Sequence, residues 1–169
     1  MPIGPRMRLL RTAAVAMFLV CLSGAGRAQD ASGQSTIGAW TVAADPRLGR
    51  GCFANRIYEN GIDFRIGLNR LANRGYIAVG SPTWSSLVRG QAYPLRLVFG
   101  SAPPRDSRAT AIYMDGVMTL WIRFVDPDLF VEFVAAPTLQ IWSHKQLLAE
   151  LTLRGSREAF LEVVRCQAG

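Results

Sequence analysis

The sequence is poor in the residues from which metal and acid–base sites are usually built. It has one histidine, His144, and three cysteines, and it contains no Cys-x-x-C pair. Zinc sites need several histidine or cysteine ligands at fixed spacings, so we expect no bound metal. The Gly-x-Ser-x-Gly elbow of many hydrolases and the Gly-x-Gly-x-x-Gly fingerprint of dinucleotide-binding domains are also missing, and no cofactor is expected.

Lysine is almost absent, and Lys145 is its single occurrence. The full chain carries 19 basic and 12 acidic residues, a formal net charge of +7. Four of the arginines fall within residues 1–28, which hold no acidic residue, so the rest of the chain is only weakly basic. Because nucleic-acid binding needs clustered positive charge, the sequence predicts no nucleic-acid partner.

The chain also lacks an apolar run long enough for a comfortable membrane span, which takes about 20 residues. The apolar residues 12–22 follow a basic head with Arg6, Arg8 and Arg11, and they precede the small-residue sequence Gly26-Arg27-Ala28. This order is typical of a secretory signal peptide cleaved after Ala28. We therefore predict a bacterial protein that is exported to the periplasm or secreted, without a membrane span.

The predicted signal peptide divides the chain into three segments. Residues 1–28 are expected to be removed on export. Residues 29–36 are small and polar, so they are predicted to form a flexible leader. Residues 37–169 are long enough for one compact β-rich domain.

Two cysteines remain once the signal peptide, with Cys21, is removed. Lone cysteine pairs in an oxidising compartment usually form a disulfide, so we predict a Cys52–Cys166 bridge. The alternative is two free thiols with a redox role.

Alternating apolar and polar residues predict a mostly antiparallel sheet. Asn60-Gly61 is typical of a two-residue type I′ turn and begins the alternating run of residues 62–69, which predicts one buried and one solvated strand face. Asp115-Gly116 predicts a second such hairpin. The fold class is α+β and mostly β, a sandwich-like antiparallel sheet with two short helices.

Capping signals place the two helices. Asp126-Pro127-Asp128 predicts the start of the first helix, which Pro137 should end. Gly155-Ser156 introduces a C-terminal helix whose apolar face contains Cys166. This face would direct Cys166 toward the core and toward Cys52.

Few residues qualify as functional candidates. Trp84 lies in a Pro-Thr-Trp-Ser-Ser loop, where it would either close one end of the sandwich or anchor a partner, with Tyr93 nearby in the chain. His144 is expected in an exposed turn. The scattered carboxylates of Glu59, Asp63, Asp115 and Glu132 are expected on solvated strand faces.

Several structural residues form a recognisable pattern along the chain. Trp40-x-Val42 precedes Cys52, and Pro82-x-Trp84, Gly90-x-x-Tyr93 and Leu153-x-Gly155-Ser156 follow along the chain. This pattern of residues resembles that of small exported proteobacterial envelope proteins and is distantly similar to the invasion-associated protein B family. The extra cysteines found midway in that family are missing from this chain. The resemblance implies an all-β or α+β envelope protein and supplies no catalytic residue.

These observations favour an exported, non-catalytic envelope protein that binds a protein or cell-wall partner near Trp84. The alternative from another class is a small periplasmic hydrolase whose site is assembled only in three dimensions. It would bring a serine to His144, or two acids into one pocket. A structural subunit of an envelope complex is the third interpretation.

Overall fold

A computed structural model describes residue 1 and residues 33–169, so the predicted signal peptide beyond residue 1 lies outside the described residues. The strands are β1 (Ser35–Ile37), β2 (Trp40–Asp45), β3 (Gly51–Ile57), β4 (Asp63–Asn69), β5 (Arg74–Ser81), β6 (Ala92–Phe99), β7 (Arg105–Met114), β8 (Val117–Phe124), β9 (Thr138–Ser143) and β10 (Gln146–Thr152). The helices are α1 (Asp128–Ala135) and α2 (Ser156–Ala168), and a 3-10 turn spans Pro46–Leu48.

The ten strands form one sheet in the order β1-β2-β3-β4-β5-β8-β7-β6-β9-β10, and every neighbouring pair is antiparallel. The sheet curls so that Tyr58, which follows β3, comes close to β10, and the Tyr58 hydroxyl donates a hydrogen bond to the Thr152 carbonyl at 2.8 Å. The mostly-β, antiparallel prediction with a C-terminal helix is confirmed.

One face of the sheet, the inner face, carries the main core. Phe64 and Ile66 of β4 lie on it and are fully buried, and α1 and α2 cover it. An aromatic cluster joins α1 to the sheet, with the Phe133 ring centroid 5.6 Å from that of Trp40 and 5.9 Å from that of Phe64. The opposite face, here the outer face, holds the alternate residues of each strand.

The two predicted hairpins differ in their turns. Asp115 and Gly116 both take positive φ, +49° and +91°, as a type I′ turn requires. At the other hairpin Gly61 has a φ of +77° and Asn60 does not, and the Gly61 N–H donates to the Tyr58 carbonyl at 2.9 Å. The type I′ prediction is wrong there, because a three-residue loop with a left-handed glycine fits the strand twist equally well.

The first strand begins earlier than the sequence indicates. Ser35 and Thr36 pair with Val42 and Thr41 of β2, although the flexible leader was expected to run to residue 36. Strand pairing uses backbone groups, so polar side chains do not prevent it. The sequence pattern detects buried faces and therefore misses this edge strand.

Both helices lie where the capping signals place them. The Asp126 Oδ1 atom accepts a hydrogen bond from the Asp128 N–H at 2.9 Å, and α1 ends before Pro137. On α2, Ala159 and Val163 are buried, and Cys166 is bonded to Cys52 with the two Cα atoms 6.0 Å apart. The predicted disulfide is thus present in the structure and joins β3 to the last turn of α2.

An ion-pair network fixes α1 to the sheet. The Arg105 guanidinium of β7 bonds Glu132 of α1 at 2.8 Å and Asp126 at 2.7 Å. The hydrogen bond from Arg105 holds the pKa of Asp126 below its ordinary value. A carboxyl group with a lowered folded-state pKa stabilises the fold above its unfolded pKa and loses that contribution as the pH falls through the folded value.

We therefore expect Arg105→Met to have a lower free energy of unfolding than the wild type, and the gap between the two values should depend on pH. The gap should be constant from about pH 5 to 7 and should shrink below about pH 4, because Asp126 becomes protonated in both proteins. Urea unfolding at a series of pH values measures it. Arg108→Met, on the same strand and without an ion pair within residues 33–169, is the control. A gap that widens on acidification would contradict the assignment.

Candidate functional site

The outer face carries a second, smaller cluster of buried residues. Phe53 of β3, Tyr76 and Ala78 of β5 are its buried members. Trp121 of β8 and Leu48 of the 3-10 turn pack against them. The outer face is therefore not simply solvated, and the two-face prediction for residues 62–69 fails at its centre.

Arg65 of β4 is the residue at which that prediction is wrong. Its side chain is only 9% exposed, and its guanidinium carbon lies 4.2 Å from the centroid of the Phe53 ring. The Nη2 atom bonds Asp115 at 2.7 Å, and Nη1 lies 3.7 Å from a carboxylate oxygen of Asp45. A buried guanidinium is tolerated here because two carboxylates and an aromatic face surround it.

Asp45 connects this arginine to the 3-10 turn. Its carboxylate is 6% exposed and accepts hydrogen bonds from the Arg47 backbone N–H at 2.9 Å and from the Arg47 side chain at 3.3 Å. The same carboxylate therefore caps the 3-10 turn and faces Arg65. This arrangement fixes the turn against the outer face.

Tyr76 and Trp121 form the second fixed pair on this face. Their rings stack with centroids 4.2 Å apart and planes 10° from parallel. Burial raises the pKa of the Tyr76 phenol above its ordinary value, while the nearby Arg65 charge opposes the rise. Within residues 33–169, the Tyr76 hydroxyl and the Arg65 Nε atom are buried without a hydrogen-bond partner.

A groove with a volume of about 680 Å³ lies over these pairs, here called the outer-face groove. Trp121 contributes to its floor together with Ile112 and Met114 of β7. Arg47, Arg74 and Arg123 also line it. Ligand sites in proteins commonly have volumes of about 300–1,000 Å³, so the groove is large enough for a ligand or a partner segment.

The groove is suited to binding more than to acid–base chemistry. Asp45 is its one acidic lining residue, and that carboxylate is already bonded to Arg47. Asp63, which burial gives a raised pKa, is hydrogen-bonded to Asn55 and is not among the residues that line the groove. A general acid or base needs a carboxylate free to exchange a proton with a substrate.

Within the described part of the chain, no three His, Cys, Asp or Glu residues are grouped closely enough to hold a metal ion. The helices described there are also too short or too polar to cross a membrane.

The fold has been seen before. One match is the crystal structure of invasion associated protein B from Bartonella henselae, with a TM-score of 0.61 and 15% sequence identity. The match covers 80% of this chain and 99% of that one. No protein-family model and no curated protein sequence matches the chain. At this identity the likeness shows a shared fold, which confirms the structural part of the resemblance inferred from the sequence.

The predicted partner residues lie away from the groove. Trp84, in the loop between β5 and β6, is partly buried and packs against the inner-face core. Tyr93 packs there too, and its hydroxyl accepts a hydrogen bond from the Val88 N–H at 2.9 Å, which ties the same loop to β6. Trp84 therefore packs on the core, and a binding role for Trp84 and Tyr93 stays a prediction.

His144 lies in the turn between β9 and β10, with a φ of +54° and an exposed side chain. Among the hydrogen bonds within residues 33–169, none involves its imidazole. The hydroxyl of the adjacent Ser143 donates to the Pro94 carbonyl at 3.3 Å instead, so the described residues give the serine form of the hydrolase alternative no geometric support.

Sequence reasoning missed the outer-face cluster, of which Trp121 lines the groove. Phe53, Tyr76 and Trp121 occupy outward positions of their strands, which the alternation rule assigns to solvent. The sequence does place large aromatic residues at outward positions of several strands. These residues indicate a cluster only once it is known that their strands are neighbours in the sheet. The strand order β4-β5-β8 was needed to see it, because β8 follows β5 only after β6 and β7 in the chain.

Proposed function

We propose that the chain is an exported, non-catalytic envelope protein that binds a protein partner through the outer-face groove. The observation that carries this proposal is the open groove lined by Trp121, whose ring is stacked on the buried Tyr76. Tryptophan, tyrosine, methionine and arginine are enriched at protein interfaces, and Trp121, Tyr113, Met114 and the groove arginines are of these types.

The compartment is part of the proposal. The predicted signal peptide and the Cys52–Cys166 disulfide both favour the periplasm or the exterior of a bacterial cell. The structural neighbour, which shares the fold at 15% identity, is named as an invasion-associated protein, a name consistent with an envelope protein.

A protein partner is favoured over a glycan by the lining of the groove. Hydroxyl-rich sugars are commonly held by carboxylate and amide groups, whereas the Asp45 carboxylate and the Asn69 side-chain oxygen are both engaged. Asp45 bonds Arg47, and the Asn69 side chain accepts the Ala72 N–H at 3.1 Å. The remaining floor is mainly aromatic and aliphatic, which suits the side chains of a peptide.

Trp121→Ala should reduce partner capture to about a tenth or less, since interface tryptophans contribute about 2 kcal/mol or more. Capture is measured by crosslinking the exported, tagged chain in its own cells and quantifying crosslinked proteins by mass spectrometry. Trp142→Ala is the matched control, because Trp142 is also partly buried and lies on β9, beyond β7 and β6.

Trp84→Ala tests the alternative binding surface. If it abolishes capture while Trp121→Ala does not, the binding surface is the loop end predicted from the sequence. If all three variants capture the same proteins as the wild type, the proposed function is wrong. Each variant is first checked for a wild-type thermal transition.

A further inference from the structure

We propose that the outer-face groove takes an acidic peptide segment that places a large apolar side chain on Trp121. This inference rests on the proposed function and adds the chemistry of the partner.

Arg74 and Arg123 supply the charge that selects an acidic segment. Tyr76 pairs directly with Arg123 across β5 and β8, so Arg74, two residues before Tyr76, is the diagonal neighbour of Arg123 on the outer face. Such diagonal neighbours lie about 7–8 Å apart, within reach of one ligand. Both side chains are exposed, and within residues 33–169 neither has an acidic partner.

Nothing else in the lining offsets these two charges. Arg47 is 67% exposed but is paired with Asp45 and lies 3.7 Å from Asp115. The carboxylate of Asp45 is buried between Arg47 and Arg65. The uncompensated charge of the lining thus comes from Arg74 and Arg123. The wall is therefore positively charged over an apolar floor. A surface with one sign of charge attracts partners of the opposite sign and repels basic ones.

The floor specifies the rest of the ligand. One face of the Trp121 ring is covered by Tyr76, and Ile112 and Met114 lie beside it in the groove. An aromatic or aliphatic side chain gains by covering such a floor, whereas a free phosphate or a polyanion without apolar groups would leave it solvated. Charge and floor together indicate a carboxylate-rich peptide with at least one large apolar residue.

The site is also rigid before a ligand arrives. Arg65 lies beneath the second cluster, with Phe53 against its guanidinium and Asp45 and Asp115 as its ion-pair partners. Asp115 is the tip of the β7–β8 hairpin, and Asp45 caps the 3-10 turn, so both walls of the groove are tied to one buried residue. Preorganised walls lower the ordering cost of binding.

The test is a selection of random 12-residue peptides from a display library on the full, oxidised chain. We expect enriched peptides to carry net negative charge and an aromatic or large aliphatic residue. Their affinity should fall about tenfold or more for Arg74→Glu/Arg123→Glu, and it should weaken as salt rises from about 0.05 to 0.5 M.

Arg89→Glu/Arg157→Glu is the matched control, because it makes the same change of charge at exposed residues in the β5–β6 loop and on α2. It should alter affinity less than about twofold. Arg74→Gln/Arg123→Gln repeats the test without introducing acidic groups, in case the charge-reversed variant fails to fold.

The inference is overturned if the enriched peptides are neutral or basic, or if no peptide is enriched. It is also overturned if acidic enriched peptides bind the Arg74→Glu/Arg123→Glu variant as tightly as the wild type. A crosslink from the groove to a second copy of the chain would also overturn it. These failures are distinct from failure of the proposed function, which is decided by capture in cells and its dependence on Trp121.

Discussion

Replacing Cys52 and Cys166 together by alanine is expected to lower the free energy of unfolding by about 4–5 kcal/mol. The bridge closes a loop with a sequence separation of 114 residues, and a loop of that size has a large closure entropy in the unfolded chain. The bond also fixes α2 against β3, where Cys52 is 1% exposed. Urea unfolding of the oxidised wild type and of the double variant measures the difference.

Reduction provides the matched comparison. Wild-type protein unfolded in the presence of a thiol reductant should resemble the double variant, because both lack the closed loop. Protein recovered from the periplasm should have the intact mass of a chain that begins at Gln29. That mass should be lower by two hydrogen atoms than the mass of the same chain with both cysteines reduced. A reduced wild type within about 1 kcal/mol of the oxidised protein would show that the bridge contributes little.

The local elements of the fold follow from the sequence. The Asp115-Gly116 turn, the start of α1 at Asp126-Pro127-Asp128 and the inward face of α2 each depend on residues within a few positions of one another. Short-range rules of turn chemistry, capping and periodicity are sufficient for such features. The Cys52–Cys166 bridge was predictable as well, because the signal-peptide prediction removes Cys21 and leaves two of the three cysteines.

The groove could not be predicted in the same way. Whether an outward strand position is solvated depends on what lies above it, and for Arg65 that is the tip of a hairpin 50 residues later in the chain. The path from β5 to β6 passes over two intervening strands, so β8 pairs with β5. A period-two pattern contains no information about that crossing. The sequence therefore directed attention to Trp84, which packs on the core, and not to Trp121.

Arg65→Met is expected to destabilise the protein by about 1–3 kcal/mol, because it removes the ion pair with Asp115 and one of the two guanidinium groups that face the buried Asp45 carboxylate. Asp45 is 6% exposed and lies 3.7 Å from Arg65. Methionine retains the apolar stem that covers Phe53, so the loss reports mainly on the charge. Arg123→Met is the control, since Arg123 is exposed on the same face and should change stability by no more than about 0.5 kcal/mol.

A double-mutant cycle with Asp45→Asn separates the ion pair from simple packing. If the ion pair between Arg65 and Asp45 contributes to the loss, Arg65→Met/Asp45→Asn will be less destabilised than the sum of the two single variants, by about 1 kcal/mol or more. Additive effects would instead mean that the two side chains contribute independently. Because Asp45 also accepts the Arg47 N–H, coupling between Arg65 and Asp45 links the stability of the outer face to the position of the 3-10 turn. The buried charge on β4 would then hold the wall of the groove in place, and a partner that binds there would meet a surface fixed by the fold.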